Sequence, residues 1–242
     1  MMMTDQKTVF ITGASSDIGQ ATCQKFLNAD YKVIAHYRTM RPKFATLIAS
    51  SDDIEAYQFD FSNIDEFEST LKSNRAFFDR VDILVNLAAD LPAGTFAEAD
   101  AEKMMSAFRI NVLPGLLLMQ VMGPAMAKRG WGRIVHASSI GVKFGGGRNS
   151  FVYSLSKHAL EFIPSVCKDW AGDGVLSNVV RLGVTDTASH QSIPDKNLTD
   201  RARLIPVARV ATPDEMAKTL YWLASAENTY TTGQVIAVSG GE

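Results

Sequence analysis

The chain alternates between short apolar runs and amphipathic stretches. Lys7 to Thr12 (KTVFIT), Lys32 to Tyr37 (KVIAHY), Ile54 to Phe59, Val81 to Leu84, Ile134 to Ala137, Leu176 to Val180 and Gln234 to Val238 are mainly β-branched, aliphatic or aromatic. Runs that short and apolar read as buried strands. Between them lie helical patterns: one opening near Ile18, one from about Ala101 to Asn111 and on through Ala127, one from Tyr153 to about Ala171, and Pro213 to Ala224 behind a Thr212 cap. Strand and helix alternate about seven times without linker or repeat, which predicts one doubly wound α/β domain of the Rossmann type over residues 1–242, with a parallel sheet of about seven strands. Such sheets bind ligands outside the carboxyl ends of their strands. The unusual residues fall there: Gly13 to Gly19, Asn86, Ser139 and Gly183 each follow a predicted strand. A polar, weakly periodic stretch at about 185–206 beside a strand end suits a substrate lid.

Composition narrows the class. With 242 residues, 46% of them hydrophobic, the chain can bury a large core. Its 24 basic and 26 acidic residues leave a net charge of -2 and no electrostatic reason for a nucleic acid or membrane partner. Cys23 and Cys167 lack CxxC or metal-ligand spacing and read as buried free thiols in a reducing compartment. No apolar stretch precedes the first strand, so no signal peptide is expected. Val112 to Ala127 is apolar but contains Pro114, Gly115, Gly123 and Pro124. It falls short of the roughly 20 residues of a membrane span and reads as a buried or subunit-facing helix. A soluble cytoplasmic protein is expected.

The chemistry centres on Ile134 to Lys157. An apolar strand ends in Ser138 and Ser139, a glycine-rich loop follows from Gly141 to Gly147, and a helix from about Ser150 carries Tyr153 and Lys157. Four residues apart on a helix, those two share a face. A phenol with a pKa of about 10 is a poor acid or base near neutrality, so a neighbouring ammonium is expected to lower it by about 2 to 3 units, roughly 3 to 4 kcal/mol. A surface Tyr and Lys can share this spacing by chance; the rest of the chain gives the pair its weight.

Gly13 to Gly19 (GASSDIG) links a strand to a helix N-terminus, which offers N–H groups and a positive dipole end to a phosphate. It lacks the GxGxxG fingerprint, so a plain strand-to-helix turn fits too. No acidic residue lies between Asp30 and Asp52 to hold a ribose diol; Arg38, Arg41 and Lys43 stand there instead. Cations there suit a 2′-phosphate, hence NADP, or form a solvated basic loop. Small residues after Asn86 let a flat ligand approach the backbone, and Asn111 sits mid-helix where Pro114 must disturb the ladder. His36, His136, His158 and His190 lack ligand spacing, so no metal is assigned; His136 and His158 read as packing residues.

Taken together, Thr12-Gly13-Ala-Ser-Ser-Asp17-Ile18-Gly19, Asn86-Leu-Ala-Ala, Asn111, Ser139, Tyr153-Ser-Leu-Ser-Lys157 and Asn178-Val-Val-Arg-Leu-Gly183-Val-Thr-Asp-Thr187 resemble the short-chain dehydrogenase/reductase superfamily over essentially the whole chain. They resemble in particular the single-domain branch that includes 3-oxoacyl-carrier-protein reductases. The resemblance implies an NADPH-dependent carbonyl reductase. Tyr153 would be general acid, Lys157 would tune it and hold the nicotinamide ribose, Ser139 would bind the reacting oxygen with Ser138 as competitor, and Asn111 would hold a relay water. Gly13, Ser15, Ser16, Asp17, Ile18 and Gly19 would line the pyrophosphate, with Arg38 at the 2′-phosphate. Asp60, Asn86 and Ala88 would meet the adenosine side, and Gly183 and Thr187 the nicotinamide. Asp17 replaces the family's middle glycine and sets a carboxylate near the pyrophosphate. A non-catalytic NADP-binding sensor or scaffold and an NAD-linked alcohol or sugar dehydrogenase are the alternatives. Helices with more apolar surface than one sheet face covers point to a homodimer or homotetramer.

Overall fold

A computed structural model describes residues 6–188 and 197–242. Seven strands form one parallel sheet in the order β3-β2-β1-β4-β5-β6-β7: β1 Thr8–Thr12, β2 Lys32–Tyr37, β3 Ile54–Gln58, β4 Ile83–Asn86, β5 Gly132–Ser139, β6 Val175–Leu182 and β7 Val235–Val238. The strand order reverses between β1 and β4, and at that switch point the crossover connections leave toward opposite faces, opening a crevice.

Alternation along the strands feeds two cores. Phe10, Ile34, Leu84 and Ile134 lie in register across β2-β1-β4-β5 and share a cluster with Phe67, Leu118 and Met122. Val9, Ile11, Val33, Val85 and Val135 face the other way, onto Phe26, Leu220 and Leu223. Because both faces are covered, the strands read as continuous apolar runs rather than alternating ones.

The helices in chain order are α1 Asp17–Leu27, α2 Pro42–Ile48, α3 Ile64–Ser73, α4 Arg75–Asp79, α5 Ala101–Asn111, α6 Leu113–Lys128, α7 Phe151–Ala159 and α8 Val166–Gly172, followed by Leu198–Ala202 and Pro213–Ala224. Two expectations change. Asn111 is the last residue of α5 rather than mid-helix: Pro114 lacks the N–H that would continue the ladder, and the chain breaks at Val112 before α6. The helix expected from Tyr153 to Ala171 is two, α7 and α8, separated by a turn that contains Pro164. Taken as one 28-residue helix, Ala101–Lys128 is long and apolar enough to cross a membrane by length and composition. Leu118, Met119, Met122 and Met126 are nevertheless buried against the sheet, as a core helix requires. Cys23 and Cys167 are free and buried. Of the lid expected at about 185–206, residues 189–196, including His190, lie outside the described residues.

Candidate active site

The crevice is a cavity of 1620 Å³ along the carboxyl ends of the strands, larger than the roughly 300–1,000 Å³ of a single small-molecule site. One end is built by the turn after β1. Gly13 has φ +65°, and a Cβ there would lie 2.9 Å from the Ala88 backbone; at Gly19 it would lie 2.4 Å from the Gly13 carbonyl. Only glycine lets the turn, β4 and the start of α1 approach so closely. Ser16 caps α1, its Oγ accepting from Gly19 N at 3.0 Å, which leaves a positive helix end facing the cavity. Gly13, Ser15, Ser16, Asp17 and Ile18 line the cavity, whereas Gly19 is buried behind them. The Asp17 carboxylate is engaged: its Oδ2 accepts from Ala188 N at 2.8 Å, joining this turn to the segment after β6.

Arg38 and Arg41 line the far wall with Asp60, while Lys43 is exposed outside the cavity. His36, given no role from the sequence, fixes the turn from beneath. Its Nδ1 accepts from Gly13 N at 3.2 Å, its carbonyl accepts from Ala14 N at 2.8 Å, and its ring stacks on Phe61 at 4.0 Å. Nε2 lies 3.0 Å from the Phe59 carbonyl and must carry the proton. Burial holds this imidazole down at about 4, against weaker upward pulls from that carbonyl and Asp60. The signal available in the sequence was its position at the end of β2, beside the turn.

Asn86 does not line the cavity. Thr12 Oγ1, which accepts from Leu87 N and Ala88 N, donates to Asn86 Oδ1 at 2.8 Å, and Asn86 Nδ2 lies 3.1 Å from His136 Nδ1. Asn86 thereby holds Ala88, which does line the cavity, in place. His136 is buried as expected, whereas His158 is exposed rather than part of the core. No group of three or more His, Cys, Asp or Glu side chains suited to a metal occurs among the described residues.

At the other end Ser139, Tyr153 and Lys157 line the cavity with Gly183 and Thr187. Ser139, last residue of β5, accepts from Gly141 N at 3.2 Å through Oγ and lies close enough to the Tyr153 phenol to act on its pKa. Ser138 is spent elsewhere, on the Lys157 carbonyl at 3.1 Å and Glu161 Oε1 at 2.7 Å, so Ser139 is the hydroxyl available to a ligand. The electrostatics run opposite to the sequence expectation. Burial pushes the Tyr153 phenol up to about 12, opposed only by the Ser139 side chain. Lys157 is itself desolvated, down to about 7, and donates to the Ala137 carbonyl at 2.8 Å rather than to the phenol. The Asn111 side chain is held within the protein. Its Oδ1 accepts from Asp90 N at 2.6 Å and its Nδ2 donates to Asp90 O at 3.0 Å and Ser156 Oγ at 2.9 Å, so the side chain staples the loop after β4 to α7.

A small-residue cradle, a helix N-terminus and two arginines at one end, with a hydroxyl pair and a lysine at the other, can hold an elongated anionic ligand against a proton donor. Comparison with known proteins agrees. Residues 13–242 match a family model described as enoyl-(acyl carrier protein) reductase. A 3-oxoacyl-[acyl-carrier-protein] reductase of Thermotoga maritima is 27% identical, covering 99% of both chains. An acetoacetyl-CoA reductase of Rhizobium meliloti is 29% identical over 98% of each. The crystal structure of a 3-oxoacyl (acyl-carrier-protein) reductase from Agrobacterium tumefaciens with NADP bound superposes with a TM-score of 0.86 at 27% identity, covering 98% of this chain and 94% of that one. With the family match running almost from end to end and the Ser139, Tyr153 and Lys157 set gathered at one cavity, this chain belongs to the short-chain dehydrogenase/reductase family.

Proposed function

We propose that the protein is an NADPH-dependent oxidoreductase that reduces a carbonyl, a 3-oxoacyl thioester or a similar ketone, to an alcohol. The observation that carries this reading is the meeting of Ser139 and Tyr153 hydroxyls in front of a buried Lys157, in one cavity with Arg38 and Arg41. NADPH, when bound, supplies the hydride. Gly13, Ser15, Ile18 and the α1 N-terminus fit its pyrophosphate, and Arg38 with Arg41 its 2′-phosphate. Ser139 donates to the carbonyl oxygen and stabilises the charge that develops there. Tyr153, held at about 12, keeps its proton at neutral pH and passes it to that oxygen, since an alkoxide is the stronger base. Lys157, at about 7, is near the balance point between ammonium and amine and supplies a positive charge behind Tyr153.

The raised phenol keeps Tyr153 protonated at neutral pH, the form that the reductive step needs. Leu91, Pro92, Phe144 and Leu204 give the substrate end apolar walls, which suits an acyl chain. Exposed Met105 on α5, Leu155 on α7, and Phe162 and Val166 around the turn into α8 support a homodimer or homotetramer that buries them; the free thiols of Cys23 and Cys167 suit the reducing cytoplasm. The test is reduction of a 3-oxoacyl thioester with NADPH and with NADH, alongside Tyr153→Phe. NADPH-dependent turnover that vanishes in the variant while NADPH still binds is expected. Turnover retained by Tyr153→Phe contradicts the assigned role.

A further inference from the structure

A partly buried ionic network lies behind the active site, and neither Glu161 nor Arg181 within it lines the cavity. Glu161 follows α7, with its side chain only 7% exposed. Its Oε1 accepts from Ser138 Oγ at 2.7 Å and from Arg181 Nε at 2.8 Å, and its Oε2 accepts from Arg181 Nη2 at 2.7 Å. Ser138 and Arg181 are direct register partners across β5 and β6. The Ser138 hydroxyl also reaches the main-chain carbonyl of Lys157 at 3.1 Å. One carboxylate therefore joins the ends of β5, α7 and β6. Burial works against its charge, but the hydrogen bonds from Arg181 and Ser138 win and hold the carboxyl below its usual range.

A fork-to-fork pair of this kind fixes geometry as well as charge. Buried ion pairs contribute little net stability, and their best-attested use is to set register. Here the register at stake is that of α7 against β5. Tyr153 and Lys157 ride on α7, while Ser139 and the Ala137 carbonyl that Lys157 holds belong to β5. A slide of α7 along β5 breaks the Lys157–Ala137 hydrogen bond and changes the distance between the Ser139 and Tyr153 side chains.

We propose that Glu161, braced by Arg181, is a positioning residue that clamps α7 to the end of β5 and so sets the spacing of Ser139, Tyr153 and Lys157. This rests on the carbonyl-reductase reading, but one arm of its test does not need turnover. Glu161→Gln keeps shape and volume while removing the charge that holds Arg181. It is expected to lower kcat about 10- to 100-fold, the scale of an ångström of misplacement. KM for the ketone should stay within about twofold, because Glu161 does not line the cavity. Arg181→Met should fall similarly, and the double variant no further than the worse single one, as residues acting as a unit do.

The second arm is a titration of Lys157 Nζ by 15N NMR without cofactor. Loss of a nearby negative charge alone would push the lysine further down. Release from the Ala137 carbonyl into a wetter setting would instead raise it, so a rise from about 7 is expected. If Glu161→Gln destabilises the fold too far to assay, Ser138→Ala removes the same link with a smaller change and should show the same signature. Wild-type kcat together with an unchanged Lys157 titration, even with a lowered Tm, overturns the proposal. If the wild type reduces no ketone, the function reading fails and the Lys157 titration still decides this one.

Discussion

Lys157 Nζ stands 6.0 Å from the centre of the Tyr153 ring and spends its hydrogen bond on the Ala137 carbonyl, 2.8 Å away. The ammonium is thus held for function at a cost to the fold. Its folded pKa, about 7 against an ordinary 10.5, is lowered by burial. The unfolded chain therefore binds more protons between those values, and stability rises with pH across that window. Below pH 7 both states are charged and the full burial cost is present. Lys157→Met removes that cost, so it should abolish turnover yet raise Tm, most at or below pH 7 and progressively less toward pH 10. Thermal unfolding of both proteins across pH 6–10 checks this; a Met variant with lower Tm at pH 6 would show that the hydrogen bond to Ala137 outweighs desolvation.

The same pair shows how far the sequence carries. Tyr153 and Lys157 could be placed on one helix face from their spacing, because a helical period is local. Whether lysine or burial governs the phenol depends on how deeply α7 packs against β5, which no local pattern records. Strand positions and the location of the site are legible because each strand is a contiguous apolar run ending in small or polar residues. The break at Pro164 was written in the chain, but apolar periodicity ran across it and obscured it. The helices α2, α3 and α4 escape the sequence pattern because each is short, 7, 10 and 5 residues, too few turns to display a period. Glu161 and Arg181 meet only because the chain after α7 packs against the end of β6, so nothing in the sequence near Glu161 announces its partner.

Asp17 stands where the pyrophosphate is expected, with one carboxylate oxygen accepting from Ala188 N. Asp17→Asn keeps an acceptor for that amide and removes the charge. A unit charge at about 4 Å in a water-like setting is worth about 1 kcal/mol, so NADPH should bind about fivefold more tightly. The gain should shrink toward nothing near 1 M salt. Fluorescence titration at two ionic strengths measures both; unchanged affinity at low salt would place the carboxylate away from the phosphates.

Arg38 and Arg41 are the cations on the cavity wall beside Asp60. Hydrogen bonds to charged groups contribute about 1.5–3 kcal/mol each. Arg38→Leu should therefore weaken NADPH about 10- to 100-fold and leave NADH nearly unchanged, with Arg41→Leu doing so to a smaller extent. Equal losses for the two cofactors would mean that the loop acts on the adenosine as a whole rather than on the 2′-phosphate.

His36 and His136 tie acid stability to the same turn. Both are buried neutral and held down at about 4, His36 by burial against the pull of the Phe59 carbonyl and Asp60, His136 by burial and the Lys157 charge. In the unfolded chain each takes its proton near pH 6.5. Stability is therefore intact above pH 6.5 and lost progressively as pH falls toward 4, by roughly 3 kcal/mol for each histidine over the whole window. Lys157 does not confuse this range, being largely charged in both states below pH 7. In the double variant His36→Asn, His136→Asn the drop in Tm between pH 7 and pH 5 should be markedly smaller than in the wild type, even if its Tm at pH 7 is lower. His36 also holds Gly13 N through Nδ1. Protonation turns that nitrogen into a donor facing another donor, so NADPH affinity in the wild type should fall together with stability below pH 5. Loss of stability on acidification without loss of affinity would assign the effect to His136 alone.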